Sequence, residues 1–225
     1  MKKTGFTLAE VLITLTIIGV VATLTLPALM NNTAEQQYKA AFKKAINTLT
    51  IAAETNEAIE GYSFAGTSKA SDTTKTDAAT YPSLYSLLAS RASVDFVKSG
   101  TAGPMASATV NPSDNFAVYF RDGSVVMFAD NATGTADGAN TIQDDGLPYG
   151  IKAIIDVNGP KQPNILSNCH SDVTKNSEAE TVTTDTGVAS ACTKENRVIK
   201  DRFSIRLRGH YAVPNGRAAK WAMEN

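Results

Sequence analysis

The chain has 225 residues, 43% of them hydrophobic, with 21 basic and 22 acidic side chains and a formal net charge of −1. That near-neutral balance supplies no polybasic field for nucleic acid or anionic lipid. No G-x-S-x-G, H-E-x-x-H, Walker A or G-x-G-x-x-G pattern occurs, so nothing in the sequence points to catalysis.

Lys2 and Lys3 precede a long apolar run, as in the basic region of an export signal. From residue 6 to residue 29 the only charged side chain is Glu10. As a helix at about 1.5 Å per residue this run spans roughly 36 Å, enough to cross a hydrocarbon core of about 30 Å. A carboxylate at bilayer depth costs on the order of 2.5–3.5 kcal/mol on insertion scales, so Glu10 calls for a designated partner. An ordinary cleaved signal fits poorly, because its apolar core is usually about 7–15 residues and Thr25-Leu26-Pro27-Ala28 is a weak cleavage site. A plain membrane anchor explains the length of the run but not Glu10.

A third reading comes from resemblance. Lys2-Lys3-Thr4-Gly5, then Phe6-Thr7-Leu8-Ala9-Glu10, then the uncharged run to Pro27 resemble the N-terminus of type IV pilins and of the pseudopilins of type II secretion systems. In that family a membrane peptidase cuts after the glycine and methylates the new amine. The resemblance implies cleavage between Gly5 and Phe6, methylation of Phe6, and pairing of Glu10 with the N-terminal amine of a neighbouring subunit. It also implies a helix-kinking role for Pro27 and a loosening point at Gly19. Opposite charge is what makes a buried carboxylate tolerable in a low dielectric.

Beyond Pro27 the pattern becomes amphipathic. Tyr38, Phe42, Ala45, Ile46, Leu49, Ala52 and Ala53 recur at three- and four-residue steps, with Glu35, Gln36, Lys39, Lys43, Lys44 and Asn47 off the stripe. One helix is expected from Phe6 to about Glu60, its second half packed under a globular head, with Asn32 or Thr33 able to restart or cap it. Residues 61–80 are rich in Ser, Thr, Gly and Ala and read as a linker or loop. Residues 82–91 read as a short helix with Pro82 in its first turn.

Residues 115–129 carry the clearest hairpin signal, two apolar runs joined through Asp122-Gly123, which reads as a two-residue turn. A polar loop over 130–146 precedes a strand over 151–157, which ends in Asn158-Gly159-Pro160. In residues 202–207, Phe203, Ile205 and Leu207 alternate with Arg202, Ser204 and Arg206, so a charged solvated face is expected opposite the core. Residues 217–223 read as a last helical turn carrying Trp221. The fold class is α+β, a long N-terminal helix packed on an antiparallel sheet. The divisions are a leader over 1–5, a membrane and polymerisation segment over 6–30, an amphipathic segment over 31–60 and a pilin-like head over 61–225. After the membrane segment there is enough chain for one compact domain.

Residues 155–164, Ile-Asp-Val-Asn-Gly-Pro-Lys-Gln-Pro-Asn, and the later Asp201-Arg202-Phe203 also resemble pseudopilin-like proteins, in which Asp-x-Asn-Gly-x-x-x-Pro-Asn closely precedes Asp-x-Phe. Here residues 165–200, which contain both cysteines, separate the two parts. In an extracytoplasmic domain Cys169 and Cys192 are expected to pair, and a disulfide outweighs zinc, for which Cys169, His170 and Cys192 are too few ligands. The paired cysteines place the head outside the cytoplasm, where the charges on the two sides of the apolar run, Lys2 and Lys3 against Lys39, Lys43 and Lys44, do not decide.

Some relatives bind calcium through loop oxygens. Asp156, Asn158 and Asp201, with Asp144 and Asp145, are weak candidates, because ordinary turns use the same residues and no EF-hand spacing occurs. No cofactor is expected. Asn131-Ala132-Thr133 matches a glycosylation acceptor by coincidence of composition, and His170 and His210 lack a neighbouring nucleophile pattern. Arg202, Arg206, Arg208, Arg217 and Lys220 could line a basic edge, yet a solvated strand face is the simpler reading, and nucleic acid is not an expected partner.

The expected function is structural: a filament subunit, first a secretion pseudopilus subunit, second a pilus or DNA-uptake minor subunit. A membrane-anchored binding protein that never polymerises is the reading from a different class. Expected partners are other pilin or pseudopilin subunits, the prepilin peptidase, an inner-membrane assembly platform and the lipid bilayer. The chain is expected to cross the inner membrane once before assembly and then to enter a periplasmic or cell-surface filament.

Overall fold

Helix α1 runs Leu8–Glu60 and continues through both Gly19 and Pro27. The computed structural model describes residues 5, 7–67, 83–99, 115–129, 150–167, 169 and 197–225. It divides into two units, Met1–Gln37 and Tyr38–Asn225.

The second unit is built on the amphipathic stripe of α1. Phe42, Ile46, Leu49, Ala52 and Ala53 are buried, with Tyr38 and Ala45 packed beside them, as the three- and four-residue spacing predicts. They lie against a sheet of six antiparallel strands in the order of the chain: β1 (Val94–Ser99), β2 (Asn115–Phe120), β3 (Val125–Ala129), β4 (Ile151–Asp156), β5 (Arg202–Arg208) and β6 (Tyr211–Pro214). The inner faces of β2 to β5 supply Phe116, Val118, Val126, Phe128, Ile155, Phe203 and Ile205 to the same core. Phe42 stacks on Phe203 with ring centroids 4.2 Å apart. Helices α2 (Leu84–Arg91) and α3 (Arg217–Glu224) add Leu84, Leu87, Leu88, Ala218, Ala219 and Ala222 to this core. The architecture is the expected α+β, pilin-like one.

Several local expectations change. The N-cap of α2 is Ser83, whose hydroxyl accepts from the Ser86 amide while the Ser86 hydroxyl accepts from the Ser83 amide; Pro82 lies outside the described residues. The β2–β3 connection is not a two-residue turn. Gly123 donates to the Phe120 carbonyl at 2.9 Å and takes φ 90°, so the Gly ends a longer turn. The start of the expected linker is packed, since Phe64 and Thr67 are fully buried. Strands β1 and β6, at the two edges of the sheet, were not expected: β1 pairs with an irregular register between Val94 and Phe96, and β6 is only four residues long. Lys39, expected on the solvent side, is buried with its ammonium 4.5 Å from the Trp221 ring.

The largest correction concerns β5. Its second face is not solvated: Arg202, Ser204 and Arg208 are buried along with their apolar neighbours. Tyr119, Val125, Met127, Ile154 and Leu166 form a second apolar cluster on that side of the sheet. Within this face the Arg202 guanidinium donates from Nε to Asp156 Oδ2 at 3.0 Å. Next to it Asp201, fully buried, accepts from the Asn164 amide at 2.7 Å and the Ile165 amide at 2.9 Å. These bonds hold the loop after β4 onto the start of β5. Gly159 is required in that loop, because a Cβ there would run into the Gly123 carbonyl.

Two outcomes follow from this packing. Phe42→Ala removes a fully buried ring from the centre of the helix–sheet contact and should cost about 3–5 kcal/mol, whereas exposed Ile51→Ala should change stability by less than about 0.5 kcal/mol, as read by denaturant unfolding of the full chain in detergent. Burial, opposed by the Arg202 hydrogen bond, lifts the Asp156 carboxyl from its ordinary 3.8 to about 6. The folded chain therefore holds this proton more tightly than the unfolded chain. The resulting stability is complete below pH ~4 and is lost as pH rises through about 6. The melting-temperature difference between wild type and Asp156→Asn should fall over that window, and a difference independent of pH would contradict the assignment.

Candidate assembly site at the N-terminus

The first unit carries the charged group that the apolar run must accommodate. Residues 8–25 have a mean hydropathy of 2.1 and none of them is buried within the chain. Leu8 is 80% exposed and Leu24 75%, and Ile13, Leu15, Ile17 and Ile18 are exposed with them. By length and composition this helix can cross a membrane.

Its polar groups are satisfied locally. Thr14, Thr16, Thr23 and Thr25 donate their hydroxyls to the carbonyls of Val11, Leu12, Val20 and Val21 at 2.8–3.0 Å. Such back-bonding leaves no threonine hydroxyl of the run without a partner, which suits an apolar surrounding. A Cβ on Gly19 would meet nothing within 4 Å, so nothing inside the chain requires glycine there. Pro27 lies inside α1, and its side-chain surroundings are not among those described.

Glu10 has a partner that sequence reasoning missed. Its Oε2 accepts from the Thr7 amide and from the Thr7 hydroxyl, both at 2.8 Å, and the Glu10 amide approaches Thr7 Oγ1 at 3.3 Å. Thr7 immediately precedes α1 and Glu10 is the third helical residue, so the two form a reciprocal capping box. The signal was present in the sequence as Thr-x-x-Glu ahead of an apolar run. The carboxylate also lies in the first turn, where the helix dipole favours negative charge. Both residues remain exposed, so the cap leaves the carboxylate on the helix surface. Gly5 is exposed two residues ahead, and Phe6 lies outside the described residues.

The other candidate residues are placed elsewhere. Asp156 and Asp201 sit together at the β4–β5 junction, and their oxygens engage Arg202 and the loop amides already described. Asn158 donates its amide to Asp156 Oδ1 at 3.2 Å. No group of three or more His, Cys, Asp or Glu suited to a metal ion occurs among the described residues. The basic edge is not a free stripe, because Arg202 is buried against Asp156 and Arg206 donates from Nε to Asn215 Oδ1 at 3.1 Å. His210 faces Glu57 at 3.2 Å. Cys169 is buried and is not a free thiol. Cys192, His170, Asn131, Asp144 and Asp145 lie outside the described residues.

Comparison with known proteins bears on this same N-terminus. The family model of the prokaryotic N-terminal methylation motif matches residues 1–26. No curated protein and no solved structure matches the chain. Residues 1–26 therefore carry the type IV prepilin-type signature, and it is a type IV pilin-like subunit, held by an apolar N-terminal helix, that this signature supports.

Proposed function

We propose that this chain is a structural subunit of a type IV filament, and specifically of a type II secretion pseudopilus. The observation that carries the reading is the methylation motif over residues 1–26, with one carboxylate in a helix that the chain leaves unburied. Residues 1–5 are the leader, 6–30 the membrane and polymerisation segment, 31–60 the amphipathic half of the helix and 61–225 the head. The prepilin peptidase cuts between Gly5 and Phe6 and methylates Phe6. Glu10 then pairs with the Phe6 amine of a neighbouring subunit, with Gly19 and Pro27 letting the helix adjust as it moves from lipid into the filament. An inner-membrane platform assembles the subunits, and the head lies outside the cytoplasm.

The choice of a pseudopilus is supported by Asp156-x-Asn158-Gly159 with Pro163-Asn164 and by Asp201-x-Phe203. Although residues 165–200 separate these segments, Asp201 binds the Asn164 and Ile165 amides directly. The DNA-uptake reading draws on a basic edge, two of whose arginines are engaged internally. The proposed role needs no cofactor and no catalytic residue. Cys169 pairs with Cys192 in this reading, closing a loop worth about 3 kcal/mol by the chain-entropy model.

Intact-mass and N-terminal sequencing of the chain from cells should find a mature protein beginning at methylated Phe6; any other N-terminus defeats the prepilin reading. Glu10→Ala should leave membrane insertion intact and reduce filament incorporation about tenfold or more, the factor carried by about 1.4 kcal/mol. Unchanged incorporation would remove Glu10 from the assembly contact.

A further inference from the structure

Between α1 and the β2–β3 hairpin lies a cavity of about 220 Å3. Ala45, Leu49, Phe120 and Val126 make its apolar wall, and Lys44 and Asp122 also line it. Those two side chains, paired at 2.9 Å, are 65% and 41% exposed, which places them at the rim. The cavity thus combines an apolar interior with one cation and one anion at its mouth.

Farther along the same helix, roughly 20 Å from Lys44 to Glu57 at about 1.5 Å per residue, a second surface has the matching chemistry. The Glu57 carboxylate meets His210 Nδ1 at 3.2 Å and is 48% exposed. The His210 ring packs on Tyr211 with centroids 4.0 Å apart. Tyr211 lies on the edge strand β6 and is 43% exposed, one of few large apolar side chains that are exposed among the described residues of this unit.

We propose that the Glu57–His210–Tyr211 patch of one copy docks at the Lys44–Asp122 cavity of a second copy of this chain. The Tyr211 ring enters the apolar interior, its hydroxyl donates to Asp122 at the rim, and Glu57 meets Lys44. An aromatic ring with a polar tip is what a mainly apolar cavity with a charged mouth accepts. Each charged group at the mouth meets a complementary group, Lys44 the Glu57 carboxylate and Asp122 the Tyr211 hydroxyl. Because patch and cavity are different surfaces, every copy offers both, and the contact is heterologous and propagates without closing. The inference rests on the reading of the chain as a polymerising subunit and names the head surfaces through which it polymerises.

Two arms on the full chain, expressed in cells, test it. With a benzophenone amino acid in place of Tyr211, illumination should join the chain to a second copy through a peptide from residues 44–49 or 120–126. Cross-links to a different protein, or to another part of the second copy, overturn the proposal. In the second arm Lys44→Glu and Glu57→Lys should each reduce sedimentable filament by about three- to tenfold, and the double variant should return to within about twofold of wild type. Within one copy Lys44 pairs with Asp122 and Glu57 with His210, roughly 20 Å apart along α1, so direct mutual rescue requires a contact between copies. Single variants that assemble normally, or a double variant no better than either single one, overturn the docking while leaving the filament reading intact. A wild-type chain that forms no filament at all overturns both.

Discussion

The structure depends on the burial of one helical stripe. Tyr38, Phe42, Ala45, Ile46, Leu49, Ala52 and Ala53 give the six strands of the second unit a common surface to pack on, with the Phe42–Phe203 stack within it. A sheet of short antiparallel strands needs an apolar partner to be stable, and this half of α1 is that partner. The other half does the opposite. Residues 8–25 are the most apolar stretch of the chain, yet none of them is buried in it. Apolar surface on that scale has a favourable environment only in lipid or against other chains. One helix thus serves the protein's own core along one length and external surroundings along another.

Glu10 is where these two demands meet. A carboxylate in the first turn of an apolar helix is stabilised by the free amides and by the helix dipole, and the Thr7 box realises this within a single chain. The intramolecular cap and the proposed intersubunit pair draw on the same carboxylate. Within a single chain the cap satisfies Glu10 locally. In the filament proposed here, the amine created at Phe6, next to Thr7, provides the opposite charge.

The head is also more two-sided than a simple helix-on-sheet layer. Asp156 and Arg202 are ion-paired inside the second face of the sheet, and Asp201 ties the loop after β4 to the entry of β5. Breaking such a buried pair is costly, because it leaves one charge uncompensated. The carboxylates read as weak calcium candidates serve here as anchors for backbone amides. The arginines read as a basic edge are occupied in the same way: Arg202 by Asp156 and Arg206 by Asn215.

Much of this was legible in the residues themselves. The α1 stripe, the β2–β3 hairpin around Asp122-Gly123, the alternation in β5 and the motif at the N-terminus are local patterns, with periodicities set by backbone geometry. They determined the α+β class, the membrane-competent helix and the prepilin-type reading. What the tertiary structure decided depends on partners distant in sequence. Alternation shows that Arg202 and Phe203 point to opposite faces, but not that both faces are covered. Spacing lists Asp156, Asn158 and Asp201 as oxygen ligands, but only three-dimensional contact assigns their oxygens to Arg202 and to the Asn158, Asn164 and Ile165 amides. The edge strands β1 and β6 are irregular or short and exist through pairing with β2 and β5. Local pattern fixes which way a side chain faces, whereas long-range packing fixes what it meets there.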